Sequence, residues 1–347
     1  MADRKFIVSS SPHISTAEST KAIMLDVIIA LFPALVAGWF YFGIRALIVT
    51  LVCVVSCVAA EFVYQWIYIG FEIKNRRKTT MKEALALSAD KTDISDLSAV
   101  VTGMLLAFNL PATIPYPMAI IGSVFAIVIV KQLFGGIGKN FVNPALAARA
   151  FMLASWPVAM TSFVSPVMSF SKYITGVDTA TSATPLSIIK EGLESSAAPS
   201  LYDAFLGRIG GCIGETATLL LIAGGLYLMV RRVIDARIPM AYLGTFAVLV
   251  FFFGAQPYNI NFAAYNLCTG GIMLGAIFMA TDYVTTPTTK AGHIIFGIGC
   301  GILTFVIRRF GGYPEGTSYA ILLMNVVSPL IDKYVHPRRF GEVSKRG

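Results

Sequence analysis

Long apolar runs, separated by short polar or glycine-proline turns, set the pattern of this chain. Residues 23–42 hold one acid, Asp26, and residues 46–69 hold one, Glu61. Each run meets the roughly 20 mostly apolar residues that a membrane-spanning helix requires. The same pattern predicts about ten spans along the chain. In the first half they cover 21–42, 46–69, 97–109, 117–133 and 141–156; in the second, 215–230, 238–253, 270–284, 292–307 and 317–331. The third and eighth are short for a complete crossing. The expected class is an all-α integral membrane protein.

Composition agrees. Hydrophobic residues make up 56% of the chain and charged residues 13%, against about 25% charged in soluble domains, so a soluble enzyme is excluded. Residues 1–20 are polar, with Arg4, Lys5 and His13, and do not read as a cleavable signal. Cytoplasmic segments of membrane proteins collect Lys and Arg. With both termini inside, inner segments hold 20 of the 27 Lys and Arg residues; six, Arg308 and Arg309 among them, fall outside, and Arg149 lies within a span. The two dissenting arginines are expected to snorkel to the interface. The net charge of +8 points to anionic lipid or an acidic partner, with no nucleic acid expected. The five cysteines, Cys53, Cys57, Cys212, Cys268 and Cys300, have neither zinc-site nor disulfide spacing. Cys53 and Cys57 share a helix face, which reads first as packing.

An internal repeat organises the spans. Phe134-Gly135-Gly136 returns as Phe310-Gly311-Gly312, and Pro111 as Pro287, both at one offset of 176 residues. Five spans per repeat is an odd number, which turns the halves upside down relative to one another. The expected architecture is therefore two inverted five-helix repeats with broken third and eighth helices. It divides into a cytoplasmic segment 1–20, repeats 21–156 and 215–335, an outer loop 157–214 and a tail 336–347. Loose ends near 109–116 and 282–290 can sit at depth only where protein or water satisfies the backbone, and paired interruptions of this kind point to a binding site.

Ionisable groups inside a membrane are costly and usually functional. Asp282, at the suspected break, is the candidate for ion coupling, against the plainer role of capping that break. Asp26 and Glu61 are expected to lie near the interfaces or to pair with Arg149. Asn140 and Asn143-Pro144 read locally as helix starts. Gly138-Lys139 lacks the upstream glycine of a phosphate loop, and Gly297, Gly299 and Gly301 lie inside an apolar span, where small residues serve close helix packing. In the outer loop, Asp178-Thr179-Ala180-Thr181-Ser182-Ala183-Thr184 has no nearby histidine base, so a hydroxyl here suits an attachment point better than a nucleophile.

That stretch resembles the flavinylation motif Asp-x-x-Ser/Thr-Gly-Ala-Thr of a family of membrane flavin subunits. Its members are the D subunit of the Rnf complex and the B subunit of the sodium-pumping NADH:quinone oxidoreductase. Ser182 stands where the motif has glycine. The run 134–151, F-G-G-I-G-K-N-F-V-N-P-A-L-A-A-R-A-F, and the run 275–282, G-A-I-F-M-A-T-D, followed by Thr285-Thr286-Pro287, are similar to two further family stretches. The likeness runs nearly end to end, and the short N-terminal segment favours the Rnf side. It implies FMN joined to Thr184 by a phosphodiester, with Asp178, Thr181, Ser182 and Ala183 forming the motif around it. It also implies noncovalent riboflavin beside Asn140 and Asn143, and an acid at Asp282 tied to cation uptake. The implied setting is the prokaryotic inner (cytoplasmic) membrane, as the electron-transfer subunit of an ion-translocating ferredoxin:NAD+ oxidoreductase. Its partners would be the A, B, C, E and G subunits of that complex, and a flavin transferase would mature it. The competing classes are a flavin-free channel or secondary transporter, which the same fold would suit, and a passive scaffold for other subunits.

Overall fold

The computed structural model describes residues 19–77, 80–89, 95–164, 166, 186, 199–312 and 315–336. Among these residues the chain is helical, without a β-strand. In order the elements are α1 (Thr20–Phe42), α2 (Ile44–Arg77), α3 (Met81–Ala89), α4 (Ser98–Phe108), α5 (Tyr116–Val124, continued by a π segment Phe125–Gln132), α6 (Pro144–Ser155), α7 (Pro157–Thr161), α8 (Leu201–Leu206), α9 (Thr218–Val230), α10 (Arg237–Phe253), α11 (Ile260–Cys268), α12 (Ile272–Leu274, continued by a π turn Gly275–Met279), α13 (Lys290–Phe310) and α14 (Thr317–Tyr334).

Among the described residues, three helices are long and apolar enough to cross a membrane by length and composition: Thr20–Phe42, Ile44–Arg76 and Lys290–Phe310. The pair Ile260–Cys268 and Ile272–Met279, bent by 70°, makes a fourth if it counts as one span. Five shorter apolar helices accompany them. Large apolar side chains such as Phe32, Leu51, Val248 and Leu330 stay exposed on the outer faces, as lipid contact requires. These features make the chain a multi-pass membrane protein.

Local chemistry accounts for the boundaries. The Ser19 hydroxyl accepts from Ala22 N–H and starts α1; Gly43, at φ +75°, lets the chain reverse at once into α2. With 34 residues, α2 is about 50 Å long and overshoots a hydrocarbon core of about 30 Å. Short α3 folds back on the overshoot, where the Trp66 indole N–H donates to Leu85 O at 2.8 Å. In the turn before α10, burial works against the Asp235 carboxylate. The Arg237 backbone N–H and the charges of Arg237 and His293 nevertheless hold it below the usual carboxylate range.

Small residues let helices approach closely. A Cβ on Gly224 of α9 would lie 2.3 Å from Ala30 O on α1, and one on Gly103 of α4 would lie 2.7 Å from the Val54 backbone of α2. Gly297 and Gly301 press against Ile238 O and Tyr242 O of α10 in the same way, which bears out their reading as packing glycines. Cys57 lies in a buried cluster with Ala99 and Ile127, and Cys53 joins the main core.

Two stretches of non-helical backbone run through the interior. After α4, residues 109–115 are largely buried, and their carbonyls meet the chain that precedes α9. Ile213 N–H donates to Leu110 O at 3.0 Å, and Gly214 N–H to Phe108 O at 3.1 Å. Backbone at depth is thus satisfied by backbone from the other half, as a bilayer demands. Part of the expected outer loop, 209–214, is therefore tucked into the bundle. The second stretch lies between α11 and α12. Here a sharp bend falls at Thr269–Gly271, where Gly270 takes φ +69°, in addition to the non-helical stretch 280–289, which covers the loose end expected near 282–290. Arg308 serves this break: its guanidinium donates to Asn266 O at 2.8 Å and Thr269 O at 3.2 Å, capping the carbonyl end of α11. It is no snorkelling side chain.

Candidate cofactor and ion-coupling site

A cleft at the end of the bundle marked by Lys131 and Arg231 brings together residues that the sequence keeps far apart. It encloses about 820 Å³ counted to its open mouth, and its wall includes Ser98, Lys131, Asn140, Asn143, Asp282 and Tyr283. Apolar side chains from α1, α4 and α9 complete the wall. Ligand pockets share this character: mostly apolar walls with a few placed polar groups.

The polar groups differ in what they have left to offer. Asn143 Oδ1 accepts from Ala145 N and Leu146 N, making it the N-cap of α6, and Asn143 Nδ2 donates to Met279 O at 3.3 Å. Its amide is thus committed, pinning α6 to the π turn after α12. Asn140 spends only Nδ2, on Val142 O at 3.1 Å. Asn140 is therefore the better placed of the two to meet a guest. Asp282, just past the π turn, accepts from Val284 N at 3.4 Å and Thr285 Oγ1 at 3.3 Å. Its local role is to hold the turn that ends the helix, and it faces the cleft as well. Tyr283 donates its hydroxyl to Val233 O, linking this turn to the one after α9.

The acids Glu61 and Asp26 are paired, though not as the sequence suggested. Glu61 meets Lys131 Nζ at 2.7 Å and Gln132 Nε2 at 2.6 Å, and Lys131 also donates to Ser98 Oγ at 2.6 Å. The wider π turn around Lys131 and Gln132 reduces the angle between neighbours, so both reach one carboxylate. Asp26 accepts from Tyr227 at 2.8 Å and from Arg231 at 3.1 Å, tying α1 to α9. Neither acid touches Arg149, which corrects that pairing. Arg149 instead pairs with Glu315 and donates to Asn109 Oδ1 and Ser318 Oγ, each at 3.0 Å.

Around Arg149, farther along α6 from the cleft, lies a group that no sequence signal revealed. The ligand atoms of Cys212, Glu215 and Glu315 lie within 4.8 Å of one another. Glu215 Oε1 accepts from Cys212 N, while its buried Oε2 has no hydrogen-bond partner among the described residues. Arg149 already neutralises Glu315, so the trio is not a ready metal site.

Thr184, Asp178, Thr181, Ser182 and Ala183 lie outside the described residues. Leu186, two positions on, is described and buried at 6% exposure. It stands at the Arg308 end, against Gly270.

A family model described as the NQR2, RnfD, RnfE family matches residues 7–341. Similar proteins include the D subunit of the Na(+)-translocating ferredoxin:NAD(+) oxidoreductase complex of Acetobacterium woodii, 48% identical over 98% of this chain and 97% of that protein. The D subunit of the proton-translocating ferredoxin:NAD(+) oxidoreductase complex of Clostridium ljungdahlii is 43% identical, covering 97% and 96%. The D subunit of the ion-translocating oxidoreductase complex of Shewanella amazonensis is 35% identical, covering 97% and 98%.

Proposed function

The chain belongs to the NQR2, RnfD, RnfE family, and from that premise we propose that it is the membrane electron-transfer subunit of an ion-translocating ferredoxin:NAD+ oxidoreductase complex. In this reading FMN is joined to Thr184 by a phosphodiester and riboflavin lies in the cleft of Asn140 and Asn143. The observation that carries the reading is the cleft itself. Three distant stretches, around 131, 140–145 and 278–284, converge there on a mostly apolar cleft with an amide in its wall. When bound, flavin supplies one- and two-electron chemistry that side chains lack.

The chain's own residues set the conditions. Asn140 offers an amide edge to the guest, while Asn143 fixes the wall by clamping α6 to Met279. The apolar surfaces of Val27, Leu105 and Phe278 exclude water. Lys131, neutralised by Glu61, places a buried charge pair at the cleft wall. Asp282 is the proposed ion-coupling group. The names of the relatives divide between sodium and proton, so the likeness leaves either ion as the coupling ion.

Ten spans in two inverted repeats suit this role, with both termini cytoplasmic in a prokaryotic inner membrane. Supporting that layout, α2 packs on α5 as α10 packs on α13, and α1 and α9, the first spans of each half, pack on one another. Partners would be the other Rnf subunits, and a flavin transferase would act on the outer loop.

The test is the intact mass of the full chain co-expressed with its flavin transferase, together with in-gel flavin fluorescence after denaturation. The expected result is the mass of one FMN less water, located on the peptide that contains Thr184, and a fluorescent band that goes dark in Thr184→Ala. A colourless chain would favour the transporter class. Asp282→Asn is expected to lower cation-dependent turnover of the complex by about tenfold or more, as loss of a membrane acid on an ion path would; pumping at the parental rate would leave Asp282 only its capping of the turn.

A further inference from the structure

We propose that Asp96, Ser98 and Lys131 form a proton path into the cleft of Asn140 and Asn143, with Lys131 as the residue that hands the proton to the guest. The inference rests on the reading that a flavin lies in that cleft, and it assigns the source of the proton that accompanies each electron.

Hydrogen bonds link the three residues without a gap. Lys131 Nζ donates to Ser98 Oγ at 2.6 Å, and Ser98 Oγ donates to Asp96 Oδ1 at 2.9 Å. Lys131 and Ser98 are buried and stand in the cleft wall. Asp96 is only half-buried. The path thus runs from a group that water reaches to a group that a guest reaches. Leu97, between Asp96 and Ser98, takes φ +61°, an uncommon conformation for a bulky side chain. At that turn Asp96 Oδ1 accepts from both the N–H and the hydroxyl of Ser98.

The other polar groups of the wall have no proton to pass on. Thr102, Thr281 and Tyr283 donate their hydroxyls to backbone carbonyls. Asp282 accepts with both oxygens, and Asn140 and Asn143 carry amides, which are not acids. An ammonium has three N–H groups. Lys131 spends two, on Glu61 and Ser98, and the third has no acceptor among the described residues.

Glu61 makes the path refill. An electron reaches the guest from the redox reaction of the complex, and one N–H bond of Lys131 breaks as its proton goes to the guest. A neutral amine then faces a carboxylate that is 2% exposed. One oxygen of that carboxylate, Oε2, already lacks a partner among the described residues. A bare buried charge is costly. The amine therefore takes a proton from the Ser98 hydroxyl, Ser98 takes one through Asp96, and Asp96 draws it from water. Each bond to hydrogen that breaks is matched by one that forms. The net change is one proton drawn from water for one electron received.

The experiment uses the full Thr184→Ala chain purified in detergent, so that flavin released on denaturation is the noncovalent one. Reduction by excess dithionite is followed by stopped-flow absorbance, because the protonated and anionic forms of a one-electron-reduced flavin absorb at different wavelengths. Ser98→Ala cuts the path and leaves the Glu61–Lys131 pair in place; Ser98→Thr keeps a hydroxyl. The protonated form is expected to appear about a hundredfold more slowly in Ser98→Ala, within the range that a positioned acid contributes, and near the parental rate in Ser98→Thr. Equal rates in Ser98→Ala and its parent, both with flavin bound, overturn the path and leave the flavin reading standing. So does a parental ring that stays anionic, or a Ser98→Thr chain as slow as Ser98→Ala. A parent chain that holds no noncovalent flavin overturns both.

Discussion

Breaking the Glu61–Lys131 pair from one side is expected to cost the fold about 3–5 kcal/mol, and removing both partners together to return most of that loss. Both side chains are nearly sealed from solvent, at 2% and 4% exposure. Glu61→Met leaves an ammonium with only the Ser98 hydroxyl; Lys131→Met leaves a carboxylate with only the Gln132 amide. Either is an uncompensated charge inside an apolar bundle. Glu61→Met/Lys131→Met replaces the pair by apolar side chains of similar length, which is often close to neutral. The thermal midpoint of the purified chain in detergent completes the double-mutant cycle. Additive losses would show that the two groups do not act as a pair. The pair joins α2 to α5 and, through Ser98, to the start of α4. It also forms part of the cleft wall that holds Asn140, so the single variants should lose the noncovalent flavin along with stability.

How much of this was legible in the sequence depends on the range of the interaction. The limits of α13, Lys290–Phe310, enclose the expected span 292–307, because Thr289 caps one end and the Phe-Gly-Gly turn closes the other. The early end of the eighth span was not legible. Gly270-Gly271 inside an apolar run looks like packing, and Ile260–Cys268 is too short and too polar to stand out as half a span. The bend becomes intelligible only with Arg308 beside it, 39 residues from Thr269. Pairing was the least legible. Glu61 and Lys131 are 70 residues apart and Arg149 and Glu315 are 166 apart; no local pattern marks such partners. Of the candidate site, Asn140, Asn143 and Asp282 were legible as separate candidates through the family likeness. That they share one cleft, and that the Asn143 amide is spent on the backbone, was not.

Arg149 carries the second large expectation. Replacing it with Met should cost about 3–5 kcal/mol, because it strands Glu315, which is only 15% exposed. It also takes the donor from Asn109 Oδ1 and Ser318 Oγ, and buried acceptors left unpaired add about 1–3 kcal/mol each. Asn109 ends α4, and Glu315 and Ser318 flank the start of α14, so one guanidinium joins both halves in the interior. Lysine is a poor substitute. Its single ammonium cannot hold three acceptors in the plane that the guanidinium fork spans, so Arg149→Lys should recover the charge balance but not the geometry. An intermediate midpoint is the expected result. Arg149→Met/Glu315→Gln should recover more than Arg149→Met alone, since no bare carboxylate is then left. If all three variants melt with the parent, the buried network does not hold the two halves together, and the work falls to the glycine contacts of α1 with α9.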